Sequence, residues 1–172
     1  TLFRSVLVTG ASRGIGRAVA EAFAAVGAEV TLLAETEAVE AAAGEIAAAG
    51  GRARGLVCDV TDAAAVAERI PALGRIDVLV NNAGLERETR LDDPDAEATF
   101  ATILDVNVTG MFRLTRAARP LMPAGGAIVN TASVWGRSAP AGFSAYAASK
   151  HAVIGLTRAW SRELGPAGIR VN

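Results

Sequence analysis

Reactive side chains are scarce in this sequence. Its 172 residues include one cysteine (Cys58), one histidine (His151), one tyrosine (Tyr146) and one lysine (Lys150), and aromatics make up 5% of the total. A single cysteine excludes an internal disulfide and fits a reducing compartment, read here as the cytoplasm. Cys58 itself reads as a small buried hydrophobe at a strand end. No cluster of His, Cys and Asp has metal-ligand spacing, so no metal site is expected. His151 reads as a solvated or interface residue. Basic residues do not outnumber acidic ones (17 against 18, net charge −1), so there is no positive field of the kind that grips nucleic acid. The longest uncharged run, residues 120–136, is broken by Pro123, Gly125, Gly126 and Asn130 and cannot be a lipid-exposed helix. No leader is read before the first strand, and residues 1–3 are set aside from the fold reading.

What is present is apolar and small. Half of the chain (51%) is hydrophobic, one fifth is charged, and the mean hydropathy is +0.32. That composition suits one globular domain, read as residues 1–172 and as incomplete at its C-terminus. Of the 17 basic residues sixteen are arginine, and the one lysine lies four positions after the one tyrosine. Arginine holds its charge throughout the physiological range, whereas lysine offers a compact charge that can lose its proton.

Apolar runs at residues 5–9, 29–33, 54–58, 77–80 and 127–131 show little alternation, as parallel strands buried on both faces do. Helical stripes alternate with them: Ile15, Val19, Ala22 and Val26; Val39, Ala42, Ala43 and Ile46; Val66, Ile70 and Leu73. Asp93 followed by Pro94 reads as a helix start. The helix after it carries Phe100, Ile103, Leu104, Asn107, Met111 and Leu114 on one stripe, and a last helix is expected over residues 144–164. Residues 168–172 begin a further strand. This alternation predicts a Rossmann-type α/β fold, a doubly wound parallel sheet in three α/β/α layers that lacks its last strands.

Directly after the first strand comes Thr9-Gly10-Ala11-Ser12-Arg13-Gly14-Ile15-Gly16. Glycines there let the backbone turn sharply and approach a pyrophosphate, whose charge rests on the free N–H groups of the helix that follows. The spacing differs from Gly-x-Gly-x-x-Gly, because three residues separate Gly10 from Gly14. Further on lie Asn81-Asn82-Ala83-Gly84, Asn107, Ser133 and Tyr146-Ala147-Ala148-Ser149-Lys150. Tyr146 and Lys150, at i and i+4, share one helix face. Ser133 follows a strand end, where ligands of open α/β sheets sit.

These motifs, in this order and over nearly the whole chain, resemble the short-chain dehydrogenase/reductase family. The resemblance implies NAD(P)-dependent redox chemistry on a small carbonyl or alcohol substrate, and a homo-oligomer built through the helices that start near Pro94 and Ser144. It implies a catalytic set of Asn107, Ser133, Tyr146 and Lys150. Tyr146 would exchange the proton at the substrate oxygen, and its phenol, which titrates near pH ~10 when free, would be made more acidic by the ammonium and a cationic nicotinamide. Lys150 would also hold the cofactor ribose, and Ser133 would steady the developing oxyanion. Asn107 would hold a water that relays protons to Lys150, or would instead cap core backbone. The implied cofactor contacts are Gly10, Ser12, Arg13, Gly14, Ile15, Gly16, Glu35, Asp59, Val60, Asn82, Ala83, Gly84, Tyr146 and Lys150. Asp59 would accept from the adenine amino group, or the Asp59–Asp62 segment would cap a helix. Asn81 may serve the sheet instead of the cofactor.

The adenosine ribose is where the pattern departs from a clean one. Glu35 would accept from a 2′-hydroxyl and repel a 2′-phosphate, while Arg13 pulls the other way, so NAD is favoured over NADP only weakly. Trp135 is expected to border the substrate, and Trp160 to pack against the core or another subunit. Substrate class stays open between a 3-oxoacyl thioester and a sugar or polyol. The rival reading is a dinucleotide-binding module without catalysis.

Overall fold

A computed structural model describes residues 5–172; residues 1–3, set aside above, lie outside them. Six strands form one sheet: β1 (Ser5–Thr9), β2 (Glu29–Ala34), β3 (Arg52–Val57), β4 (Val78–Asn81), β5 (Ala127–Asn130) and β6 (Arg170–Val171). All neighbours are parallel, in the order β3-β2-β1-β4-β5-β6. The strand order reverses between β1 and β4, so a crevice opens beyond their carboxyl ends. The doubly wound Rossmann-type reading is met, and every expected strand lies within two residues of its place.

The sheet is buried on both faces because successive side chains of a strand point to opposite sides. Val6 and Val8 join one core with Val30, Leu32 and the helices α1 (Gly14–Ala25) and α2 (Ala38–Ala48). Leu7 joins the other, with Leu79, Ile128 and the helices α3 (Ala63–Arg69), α5 (Met111–Ala118) and α6 (Ser144–Leu164). The buried sides of α1 and α2 are rich in small residues (Gly16, Ala20, Ala24, Ala42 and Ala43), which lets those helices lie close to the strands.

Three expectations need correction. The buried side of α1 is Gly16, Ala20 and Ala24, with Val19 and Phe23 packed against it, whereas Ile15 and Val26 are exposed. Small residues face the sheet because the glycine turn seats this helix too close for branched ones. The helix expected at Pro94 begins at Ala96 as α4 (Ala96–Leu104), since Asp93 is committed to a turn in which its carboxylate accepts from Arg90 N at 2.8 Å. Phe100, expected on the buried stripe, is exposed. Between α4 and α5 a wide π-type turn (Asp105–Gly110) absorbs an extra residue, and the buried line runs Ile103, Asn107, Met111, Leu114. Among the described residues no helix is long and apolar enough to cross a membrane.

Candidate active site

A cleft of about 470 Å³ opens beyond β1, β2 and β4. Of the residues expected at a cofactor, Gly10, Ser12, Arg13, Gly14, Ile15, Glu35, Asp59, Val60, Asn82, Ala83 and Gly84 line it together. Gly16 lies beneath: a Cβ there would stand 2.3 Å from Gly10 O and 2.6 Å from Asn82 Nδ2. Gly10 has φ +62°, and a Cβ on it would meet Ala83 Cα at 2.8 Å. The turn can therefore close against the β4 loop only with bare backbone at both positions.

Thr9 fastens that closure. Its hydroxyl accepts from Asn82 N and Ala83 N, both at 2.9 Å, and donates to Val80 O; Asn82 Nδ2 donates to Thr9 O at 3.1 Å and to Gly10 O at 3.2 Å. No side chain caps α1, in contrast to α3, where Asp62 accepts from Ala64 N and Ala65 N. The first N–H groups of α1, at the positive end of its dipole, are thus left to an anion in the cleft. Asp59 and Asp62 divide the two roles weighed above: Asp62 is the cap, while Asp59 lines the cleft and spends one oxygen on Thr61 N and Oγ1.

Beside the cleft the catalytic candidates converge. Ser133 stands near enough to Tyr146 for its hydroxyl to favour the ionised phenol. Lys150 Nζ lies 5.5 Å from the centre of the Tyr146 ring and donates to Thr131 O at 2.8 Å. A Cβ on Gly84 would come 3.7 Å from that Nζ and 3.4 Å from Asn107 Oδ1, so the ammonium and the amide adjoin the cleft wall. Trp135 stands edge-on to Tyr146 at 5.7 Å and packs on Phe143 at 4.7 Å, and Ser133 Oγ accepts from Trp135 N at 3.2 Å. The loop after β4 closes this wall through Thr89 N, which donates to Gly142 O at 2.6 Å.

Burial pushes the Tyr146 phenol above its ordinary value; the Ser133 hydroxyl lowers it and the negative charge of Glu86 raises it. Burial likewise pushes Lys150 down, with Glu86 opposing. The ammonium itself is directed at Thr131 O and the face of the ring. Of the two readings of Asn107, the bonds it makes fit the one in which it caps backbone. Its Oδ1 accepts from Leu85 N at 2.7 Å, and its Nδ2 donates to Leu85 O at 2.9 Å and to Ser149 Oγ at 3.0 Å. Both donors are spent on protein, so the side chain latches the loop after β4 and holds no relay water through them. A buried amide left unpaired would cost ~1–3 kcal/mol.

The remaining single residues find ordinary places. Asn81 donates to Asn130 Oδ1 and Thr115 Oγ1 and so serves the sheet, and Trp160 is buried beside Phe112. His151 is exposed, with Nδ1 bonded to Ala147 O. Cys58 is buried, burial pushes its thiol up, and it also lines the cleft. Sequence reasoning missed Leu33 and Val106 on the cleft wall, together with Thr9 and Ser149. Only Thr9 and Ser149 carried a signal, by standing inside motifs already singled out.

Comparisons with known proteins identify the family. A family model described as short chain dehydrogenase matches residues 4–172. The chain is 46% identical over 173 residues to the short-chain reductase protein NovJ of Streptomyces niveus, covering 96% of this chain and 65% of that protein. It is 41% identical to a 3-oxoacyl-[acyl-carrier-protein] reductase of Synechocystis, covering 96% of this chain and 70% of the relative. A short chain dehydrogenase from Burkholderia cenocepacia, solved in complex with NADP, superposes with a TM-score of 0.89 at 42% identity, over 98% of this chain and 71% of that one. The chain thus spans about two thirds of the length of the relatives it matches.

Proposed function

The chain belongs to the short-chain dehydrogenase family, and we propose that the protein is an oxidoreductase moving a hydride between NAD(P)(H) and a carbonyl or secondary-alcohol carbon. The observation that carries this reading is the convergence of Ser133, Tyr146 and Lys150 beside a glycine-walled cleft. The cleft suits a dinucleotide: its glycine turn closes against the β4 loop only without a Cβ at Gly10 and Gly16, and the uncapped start of α1 offers N–H groups to a pyrophosphate. Gly10, Ser12, Arg13, Gly14 and Ile15 would hold the phosphates with Gly16 behind them. Glu35 and Arg13 would flank the adenosine ribose, and Asp59 and Val60 the adenine. Asn82, Ala83, Gly84, Tyr146 and Lys150 would border the other ribose. When bound, the nicotinamide supplies the hydride donor or acceptor.

The residues of the chain handle the oxygen. Ser133 donates a hydrogen bond to the substrate oxygen, which steadies the charge that grows there. Tyr146 exchanges its proton with that oxygen, within reach because the same Ser133 stands beside its phenol. Lys150, desolvated and held by Thr131 O, keeps a positive charge near the phenolate. Asn107 holds the loop after β4 against them.

We read the cofactor as NAD in preference to NADP from Glu35, and the substrate as a 3-oxoacyl thioester, a sugar or a polyol. The buried thiol fits a cytoplasmic setting. In a homo-oligomer the outer sides of α5 and α6 would meet a second copy, where Phe112 stays 45% exposed beside Trp160. The test is Tyr146→Phe. Turnover of a carbonyl panel should fall by ~10²–10⁴ with cofactor affinity kept. Unaltered protein that binds cofactor yet reduces no carbonyl would favour the non-catalytic binding module.

A further inference from the structure

Ser149 is fully buried and has no part in the chemistry described so far. Its hydroxyl accepts from Asn107 Nδ2 at 3.0 Å and donates to the main-chain carbonyl of Tyr146 at 2.7 Å. Asn107 is in turn locked to Leu85 by bonds to both its N–H and its C=O. An unbroken chain of hydrogen bonds therefore runs from the loop after β4, through the π-type turn, to the backbone of Tyr146. Every side chain in it is at least 98% buried, so each link has one satisfied arrangement and little freedom to drift.

We propose that Ser149 is a positioning residue for Tyr146, fixing the turn of α6 that carries the phenol against Asn107 and the Leu85–Glu86 backbone. The proposal rests on reading Tyr146 as the proton-exchanging group. The groups that face the phenol come from three segments: Lys150 on α6, Glu86 after β4 and Ser133 after β5. The Ser149 hydroxyl bonds Asn107 Nδ2 and Tyr146 O instead of any of those side chains, and acts through the backbone that places the ring among them.

Thr157 supplies an internal control. It lies eight residues further along α6, accepts from Asn130 Nδ2 at 2.9 Å and donates to Val153 O at 2.7 Å. The bonding chemistry is the same, but this peg fastens the helix to β5 about three turns away from the phenol. Thr157 is half-buried where Ser149 is fully buried, yet if such hydroxyls merely hold α6 in the fold, both substitutions should act through stability alone.

Tyr146 is the only tyrosine, so the near-ultraviolet absorbance of tyrosinate reports its ionisation directly, without cofactor or turnover. The midpoint of the unaltered protein should lie above that of a free phenol. Ser149→Ala should move it back toward the ordinary value as the loosened ring hydrates. Thr157→Val should leave it in place, and Ser149→Thr, which keeps the hydroxyl, should restore it. In turnover assays Ser149→Ala should lower kcat about tenfold with the cofactor KM unchanged. A midpoint in Ser149→Ala equal to that of the unaltered protein overturns the proposal. So does an equal shift in Ser149→Ala and Thr157→Val accompanied only by a lower Tm. Absence of turnover in the unaltered protein overturns the enzymatic reading alone, and the absorbance titration still decides the placement of the ring.

Discussion

The proposed cofactor cleft and the proposed catalytic corner sit side by side but are built from different materials. The cleft is mostly backbone: two glycines that tolerate no Cβ, an uncapped helix start, and a β4 loop pinned by Thr9. The corner is mostly buried side chain: Asn107, Ser149 and Lys150, each 5% exposed or less, hydrogen-bonded across segments as far as 42 residues apart. A backbone site fails when atoms are added, because there is no room. A side-chain site fails when atoms are removed, because a buried partner is left unmatched. The two should therefore respond to opposite kinds of substitution and in different observables.

The largest effect is expected from removing an atom at the corner. Ser133→Ala deletes the hydroxyl beside the phenol, and kcat should fall by ~10²–10³, as for a lost oxyanion donor. Because the Ser133 hydroxyl lowers the phenol pKa, its midpoint should rise. Cofactor affinity, measured by tryptophan fluorescence, should not change; a matching loss of affinity would break the division between the two regions. Next comes adding an atom at the cleft. Gly16→Ala puts a Cβ against Gly10 O, backbone against backbone, which should cost about 1–3 kcal/mol in stability or cofactor binding. Thermal unfolding and a cofactor titration measure the two shares. The kcat at saturating cofactor should be preserved, and a variant that binds cofactor normally but turns over slowly would contradict the scheme.

The same difference explains what could be read from the sequence. Glycine at a backbone site is dictated by local geometry, so Gly10, Gly14 and Gly16 announce the cleft in eight residues, and strands buried on both faces announce the sheet by their unbroken apolar runs. Tyr146 and Lys150 were legible because one helical turn separates them. The bonds of Asn107 to Leu85 and Ser149 were not, because no local rule links residues 22 and 42 positions apart. The influence of burial on the phenol was not legible for a related reason. Spacing gave the nearness of the ammonium but neither the depth of burial nor Glu86, and burial is the larger influence. The α1 stripe failed because the closeness of helix and sheet, set by the glycine turn, overrode hydrophobicity.

A smaller effect is expected at the rim of the cleft, where side chains return as the deciding element. Glu35 and Arg13 are both exposed and line the same hollow. Glu35→Arg exchanges an acceptor for a 2′-hydroxyl against a charge that attracts a 2′-phosphate. Exposed charges are screened, so the NADP-to-NAD preference should move toward NADP by up to about fivefold. Paired titrations with the two cofactors measure it, and an unchanged ratio would remove Glu35 from the ribose site.

Glu86 gives the finest test, because its carboxylate reaches the corner through space without belonging to its hydrogen-bond chain. It raises both the Tyr146 phenol and the Lys150 ammonium from where they would otherwise lie. Glu86→Gln removes that charge, so both midpoints should fall. Alcohol oxidation needs the phenolate, and its rising limb with pH should move to lower pH, while cofactor affinity stays as it was. Glu86 is exposed, so added salt should mimic the substitution in the unaltered protein and leave the variant nearly indifferent. A pH profile that ignores both salt and the substitution would mean that burial and the Ser133 hydroxyl alone set the acidity of the phenol.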